Sequence, residues 1–145
     1  TDPTWRLQII GDGPESRRLQ QLAANLIPPG AYTFTGHLHD PQPILERSRI
    51  LILPSAFEGT SNALLEAMAC GVVPLVSEEA DPHEELVAEG ETGRRFGTTN
   101  GAISDQLIRL AIHDDLPLIA GKAQRAAERF TWNHQRDIWN AVLFD

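Results

Sequence analysis

The sequence predicts an α/β fold, with a mainly parallel sheet covered by helices on both faces. Three observations support it. Strand-like and helix-like segments alternate from the start of the chain, Gly or Pro ends most of them, and Ile50–Leu53 is continuously apolar, as in a parallel strand buried on both faces. We expect a Rossmann-like three-layer sandwich, forming one domain over residues 1–145 with a helical C-terminal segment from about residue 102.

Each element is predicted from its own residues. Strands are predicted where β-branched, aromatic or apolar residues run together before a Gly or Pro, and helices where apolar residues recur every three or four positions. The predicted strands are residues 7–10, 32–35, 50–53, 72–76 and 94–96, and the predicted helices are residues 14–26, 40–45, 61–70, 84–88, 102–111, 119–130 and 131–143.

Pro74 lies inside the predicted strand 72–76. Because proline has no N–H to donate to a neighbouring strand, we expect this strand to begin there or to lie at an edge of the sheet.

Charge and composition exclude several classes of protein. The chain has 12 Lys and Arg against 20 Asp and Glu, and its net charge of −8 has the wrong sign for binding nucleic acid. No apolar run approaches the roughly 20 residues of a membrane span. The first residues lack a signal-peptide pattern and an initiator Met, so we expect a processed chain or a piece of a longer protein.

Cysteine and histidine give no sign of a metal site or a nucleophile. Cys70 is the one cysteine, which fits a reducing cytoplasm, and it follows a helix whose dipole disfavours a thiolate, so we interpret it as a core residue. His37 and His39 stand two apart beside Asp40 without a third clustered ligand, so we expect no metal. The acidic residues of 78–91 are interpreted as a solvated face.

The strongest chemical signal is the stretch from Pro54 to Gly71. It leads from the carboxyl end of strand 50–53 into a helix, where open α/β sheets bind their ligands. Gly59 allows a close backbone approach, and the N–H groups at the helix start attract an anion such as phosphate. Small polar side chains stand there: Thr60, Ser61 and Asn62.

Two glutamates flank this predicted anion site. Glu58 lies in the loop, and Glu66 lies about five residues into the helix, roughly 7.5 Å along its axis. A sugar nucleotide has hydroxyl groups at both ends and phosphate between them. Glu58 and Glu66 would accept hydrogen bonds from the hydroxyl groups at the two ends, and the N–H groups between them would donate to the phosphate. The alternative is that Glu58 braces the loop and Glu66 is a solvent-facing helix residue.

Glu58 and Glu66 form an E-x7-E pair within P-S-x-x-E-G-x-S-N-A-L-L-E-A-M-A-C-G. With the earlier Ile-Ile-Gly-Asp-Gly-Pro and Phe-Thr-Gly, the chain resembles the C-terminal, nucleotide-sugar-binding domain of retaining GT-B glycosyltransferases of family 4. The resemblance implies one half of a GT-B fold without its first βα unit, which in the family carries an Arg and a Lys that clamp the diphosphate. The acceptor half is absent too, so we expect little or no turnover.

The resemblance also implies roles for individual residues. Glu66 would accept hydrogen bonds from the ribose, and Glu58 would lie at the sugar hydroxyls as the residue closest to a catalytic role, its charge stabilising an oxocarbenium-like transition state. Gly36 and His37 would lie near the base. Backbone groups of four residues would hold the sugar and diphosphate: Gly59, Thr60, Ser61 and Asn62. The loop Glu78–His83 departs from the Gly-Gly usual in the family.

The implied reaction is transfer of a sugar from a nucleotide-diphosphate sugar to an acceptor glycan or lipid, with retained configuration and without a metal or other cofactor. Polysaccharide or glycolipid synthesis is the implied setting. We expect the full-length enzyme in the cytoplasm, with peripheral association at the inner face of the membrane where the acceptor is lipid-linked. Two alternatives stay open: a sugar-nucleotide epimerase of the same architecture and a non-catalytic nucleotide-binding domain.

Overall fold

Strands and helices alternate along the chain, which confirms the α/β fold class. The structure is a computed structural model that describes residues 5–57, 59, 61–79, 86–97, 101–112, 115–131 and 133–135. The chain divides into two compact units, Thr1–Pro41 and Gln42–Asp145. That both belong to one domain stays a prediction.

The first unit is a strand–helix–strand arrangement. β1 (Leu7–Ile10) pairs in parallel with β2 (Tyr32–Gly36), and α1 (Ser16–Leu26) connects them. At the carboxyl ends of the strands, the Gly11 N–H donates to the Gly36 carbonyl oxygen at 2.8 Å. Both strands were predicted from the sequence, although α1 begins two residues after the predicted start at Pro14.

Asp12 organises the loop between β1 and α1. Its Oδ1 accepts hydrogen bonds from the Ser16 hydroxyl at 2.6 Å and from the Gly13 N–H at 2.8 Å. These two bonds, that of Ser16 above all, hold the pKa of Asp12 below its usual value. Because the ionised carboxylate is the better acceptor, the loop gains this support above the unfolded-state pKa and loses it as the pH falls through the folded-state pKa.

The second unit contains a three-stranded parallel sheet in the order β3–β4–β5. Its strands are β3 (Ile50–Leu53), β4 (Val73–Ser77) and β5 (Arg94–Phe96), and its helices are α2 (Gln42–Leu45), α3 (Asn62–Ala69), α4 (Ala102–Ile112) and α5 (Leu116–Glu128). The predicted helical segment from residue 102 is confirmed through α5. Within the described parts of the chain, no helix has both the length and the apolar character that crossing a membrane requires.

Helices cover both faces of this sheet. All five residues of β4 are buried, and alternate residues point to opposite faces. On one face Val76 packs in a cluster with Leu64 of α3, and on the other Leu75 packs in a cluster with Leu110 of α4. Since α5 contributes residues to both clusters, it ties the two layers together.

Of the two expectations for Pro74, an edge position is wrong, because β4 is the central strand of this sheet. A strand start is close to what is found, since β4 begins at Val73, one residue before Pro74. The Val73 N–H donates to the Arg49 carbonyl oxygen on the β3 side at 3.0 Å. Successive N–H groups of a parallel strand alternate in direction, so the nitrogen of Pro74 faces β5. Pairing with β5 begins only at Leu75, so the proline removes no bond from the ladder.

Gly93, just before β5, makes room for this proline. A Cβ at position 93 would lie 2.6 Å from the Pro74 carbonyl oxygen and 2.8 Å from Cγ1 of Val87. Both neighbours belong to the packed interior, and the first is backbone, so neither can give way easily.

Two further predicted helices extend beyond the described residues. Of the segment 84–88, Glu84 and Glu85 lie outside them, and of the segment 131–143 only residues 133–135 are described as helix. Trp132 is also outside them. The prediction for 84–88 is wrong at residues 86–88, which form a turn and irregular chain. The Thr92 hydroxyl holds them there by accepting from the Ala88 N–H and donating to the Leu86 carbonyl oxygen, each at 2.9 Å. The helix over 131–143 stays a prediction.

We expect Gly93→Ala to lower the free energy of unfolding by about 1–3 kcal/mol, as overpacking of an interior does. Urea denaturation measures it. Gly121→Ala is the matched control, since the nearest atom to its added Cβ is Nη1 of Arg125 at 3.6 Å. Within α5, that change should raise the stability by roughly 0.5–1 kcal/mol. Equal stability of Gly93→Ala and the parent chain would contradict the steric argument.

Candidate functional site

The start of α3 lies beyond the carboxyl end of β3, as the sequence predicts. Ser61, only 6% exposed, is its N-cap: the Oγ accepts from the Leu64 N–H at 3.4 Å, and the carbonyl oxygen accepts from the Leu65 N–H at 3.1 Å. By helix geometry, the N–H groups of Asn62 and Ala63 have no acceptor inside the helix. They are therefore available to an external acceptor, although a bound anion stays a prediction.

Gly59 lies in the loop before this helix start and is exposed. None of the described atoms would lie within 4 Å of a Cβ added at this position, and its φ is outside the left-handed region. The described residues therefore give no packing or backbone reason for a glycine here. Nearby, the side chain of Phe57 is 94% exposed.

Glu66 lies on an exposed position of α3. Among the described residues its carboxylate forms no hydrogen bond or ion pair. A free, exposed carboxylate is what a ribose-binding residue requires, but it is also what the alternative of a solvent-facing glutamate predicts.

The other predicted site residues divide into two groups. Glu58 and Thr60 lie outside the described residues, so their roles stay predictions. Gly36 and His37 are described, at the end of β2 in the first unit. Gly36 has a φ of 68°, a conformation that favours glycine, and His37 is exposed. The structure thus brings Ser61, Asn62 and Glu66 together on one helix.

The far end of α3 is closed by a regular C-terminal motif. Gly71, with a φ of 71°, follows the last turn as predicted, and the pattern of its bonds is that of a Schellman motif. Three bonds from following N–H groups saturate three carbonyl oxygens of the last turn: Cys70 to Glu66 at 3.1 Å, Gly71 to Met68 at 2.9 Å and Val72 to Ala67 at 2.9 Å.

The fourth carbonyl oxygen of that turn has a partner from another element. Nε2 of Gln124, on α5, donates to the Ala69 carbonyl oxygen at 2.9 Å. Sequence analysis missed Gln124, because the two residues are separated by 55 positions and nothing in the spacing of either segment indicates the contact.

Cys70 is the C-cap of α3, half-buried against the cluster that contains Val72. The interpretation of Cys70 as a core residue is correct only in part, because the side chain packs against this cluster from a half-buried position. Burial raises the pKa of the Cys70 thiol, and the negative charges of Glu46 and Glu66 raise it further. Since the thiolate is the nucleophile, Cys70 is a poor one at neutral pH.

We expect Cys70 to react with iodoacetamide more slowly than a free cysteine, with a rate that rises only above the usual thiol pKa. Glu46→Gln should lower the pKa and speed the reaction, because one of the opposing charges is removed. Glu15→Gln, in the first unit, is the control. A rate profile that matches free cysteine would contradict the raised pKa.

A cleft of about 530 Å³ opens at the other end of the strands from the start of α3. Ser48 and Arg49, before β3, and Gly71, before β4, line it, so it lies at the amino ends of these strands. It is therefore distinct from the start of α3. Among the residues that the structure describes, no three His, Cys, Asp or Glu side chains form a group suited to a metal ion.

Comparisons with known proteins point to one family. The sequence model for "Glycosyl transferases group 1" matches residues 1–113. The N-acetyl-alpha-D-glucosaminyl L-malate synthase of Bacillus anthracis is 33% identical over 149 residues, which takes in 100% of this chain and 39% of that enzyme. The chain therefore spans well under half of this relative.

Solved structures agree with the sequence comparison. The apo lipopolysaccharide outer core galactosyltransferase WaaB matches with a TM-score of 0.73 and 28% identity, over 95% of this chain and 40% of its own. Anabaena HepE, solved in complex with UDP, matches with a TM-score of 0.81 and 20% identity, over 97% of this chain and 41% of its own. At that identity the second match supports the fold alone.

Proposed function

Because the chain belongs to the group 1 glycosyl transferases, as a C-terminal domain of the GT-B fold, we propose that it binds the nucleotide-diphosphate sugar donor of a glycosyltransferase. The single observation that carries the proposal is the start of α3, which offers unused N–H groups beyond the carboxyl end of β3. The diphosphate of the donor would bind there. HepE, of the same fold, has been solved with UDP.

Glu66 supports the same assignment from further along α3. The Glu66 carboxylate is exposed and unbonded among the described residues, so it can accept hydrogen bonds from a ribose without first losing a partner. Gly59 adds a second argument: the described fold does not require a glycine there, whereas close approach of a bulky diphosphate sugar would.

The finer parts of the proposal concern the reaction. We expect transfer with retained configuration and without a metal or other cofactor, and with Glu58 beside the sugar, where a carboxylate would stabilise positive charge that develops at the anomeric carbon. The acceptor, a glycan or lipid, would be bound by the rest of the enzyme, which is expected in the cytoplasm or at the inner face of its membrane. The chain alone should show little turnover.

Calorimetric titration of the chain, and of a version extended upstream by one βα unit, with UDP, GDP, ADP and their sugar conjugates tests the proposal. We expect selective binding of one nucleotide that strengthens in the longer protein. In the full-length enzyme, transfer to an acceptor rather than formation of an epimer distinguishes a transferase from an epimerase. Absence of binding by both proteins would contradict a donor site and favour a degenerate domain that no longer binds nucleotides.

Glu66→Ala should weaken binding of the free nucleotide diphosphate by at least about tenfold, since it removes charged hydrogen bonds to the ribose. Glu58→Ala should leave that affinity nearly unchanged and weaken binding of the sugar conjugate instead. Glu91→Ala, another exposed glutamate, is the control. Equal losses for Glu58→Ala and Glu66→Ala with the free nucleotide would contradict this division of roles.

Gly59→Ala separates a binding role from a structural one. With no described atom within 4 Å of the added methyl group, the melting temperature should stay the same, whereas donor affinity should fall. Thermal unfolding and calorimetry of the same sample measure both. A fall in melting temperature without a change in affinity would contradict the role of Gly59 in binding.

A further inference from the structure

We infer that Gln124 is a positioning residue for the proposed donor site, because its side chain fastens the last turn of α3 to α5. The inference rests on the proposed function, since α3 is the helix that carries Ser61, Asn62 and Glu66. Gln124 touches no part of the expected ligand. It acts through the helix that does.

The first step concerns the hydrogen-bond donors that the carbonyl oxygens at the end of α3 bind. Three of the last four accept N–H groups from the chain that follows directly, so they hold the helix to its own continuation. The carbonyl oxygen of Ala69 is the exception, because it accepts from Nε2 of Gln124 at 2.9 Å, across 55 residues. This bond is directional, and it fixes α3 relative to another helix.

The second step is the packing beneath this bond. Ala123 directly precedes Gln124, and Ala127 lies three residues after it. Both alanines are buried in the cluster that also contains Leu64 and Met68 of α3. Alanine side chains are short, so the two helices approach closely. A hydrogen bond depends on both distance and angle, so the bond at the end of the helix adds a positional constraint to this packing.

The third step links the end of α3 to the ligand-binding residues. Glu66 lies within the fastened turn, three residues before Ala69, and its own carbonyl oxygen accepts the Cys70 N–H at 3.1 Å. Ser61 lies at the other end of this eight-residue helix. In a helix of that length, a shift at one end displaces the other, so loss of the Gln124 bond would displace Glu66 and the N–H groups at the start of α3.

Cys70 provides a local measure of this bond that does not depend on any ligand. It directly follows Ala69 and is half-buried, and its thiol pKa is raised by burial and by Glu66. When the last turn opens, the thiol becomes exposed and moves away from Glu66, and both changes speed its alkylation.

The experiment measures Cys70 alkylation and donor-nucleotide affinity in the same set of variants. Gln124→Ala should raise the alkylation rate and the nucleotide Kd, each by about threefold, the size expected for one hydrogen bond. Gln124→Lys should restore both, since an ammonium group can donate to the carbonyl and suits a helix C-terminus. Gln124→Glu should be worse than alanine, because a carboxylate cannot donate and is repelled there.

Gln135→Ala is the matched control. Nε2 of Gln135 donates to the Arg129 carbonyl oxygen at 2.8 Å, so this substitution removes the same type of bond from the end of α5 instead of α3. It should change neither the alkylation rate nor the nucleotide Kd. The melting temperature of every variant is measured as well, so that a change in alkylation rate or Kd caused by general unfolding is recognised.

Two results would overturn the inference. One is equal behaviour of Gln124→Ala and Gln135→Ala in both measurements. The other is faster alkylation of Gln124→Ala with an unchanged nucleotide Kd, which would mean that the bond fastens the helix without positioning the site. Failure of the proposed function is distinguishable from both, because the parent chain and its extended version would then bind no nucleotide at all.

Discussion

Burial of β4 on both faces is the constraint on which the rest of the second unit depends. Since all five of its residues are buried, helices must cover it from both sides, and those helices need apolar faces at matching positions. Leu64 meets this demand on the face of α3, and Leu110 meets it on the face of α4. The same constraint explains Gly93, because the absence of a Cβ at this position leaves room for the proline of the central strand.

The position of the candidate site follows from this packing rather than from the site residues themselves. Burying Leu64 and Met68 against the sheet leaves Asn62 and Glu66 on exposed positions of α3, and it directs the helix start beyond the carboxyl end of β3. The polar residues therefore need little local support. Ser61 caps the helix at one end, and the glycine turn with Gln124 closes the other.

Much of this arrangement could be predicted because the deciding signals are local. Continuous apolar residues marked β3, and a polar cap before helical spacing with Gly71 after it marked α3. The central position of Pro74 could not be predicted, since the direction of each strand N–H depends on which neighbours pair with it. The contact of Gln124 depends on how α5 crosses α3. Within the candidate site, the polar residues before the helical spacing predicted the cap at Ser61, whereas Glu58 lies outside the described residues and its role stays a prediction.

The small residues of α5 have a consequence for how this domain tolerates sequence change. Ala123 and Ala127 bear no reactive group, yet any larger side chain there would push α3 away from α5. In a survey of random variants, these alanines would appear as sensitive as residues in contact with a ligand. Neutral substitutions are therefore confined to the outer face of α5. A larger side chain on the inner face would need a smaller side chain on α3 to compensate for it.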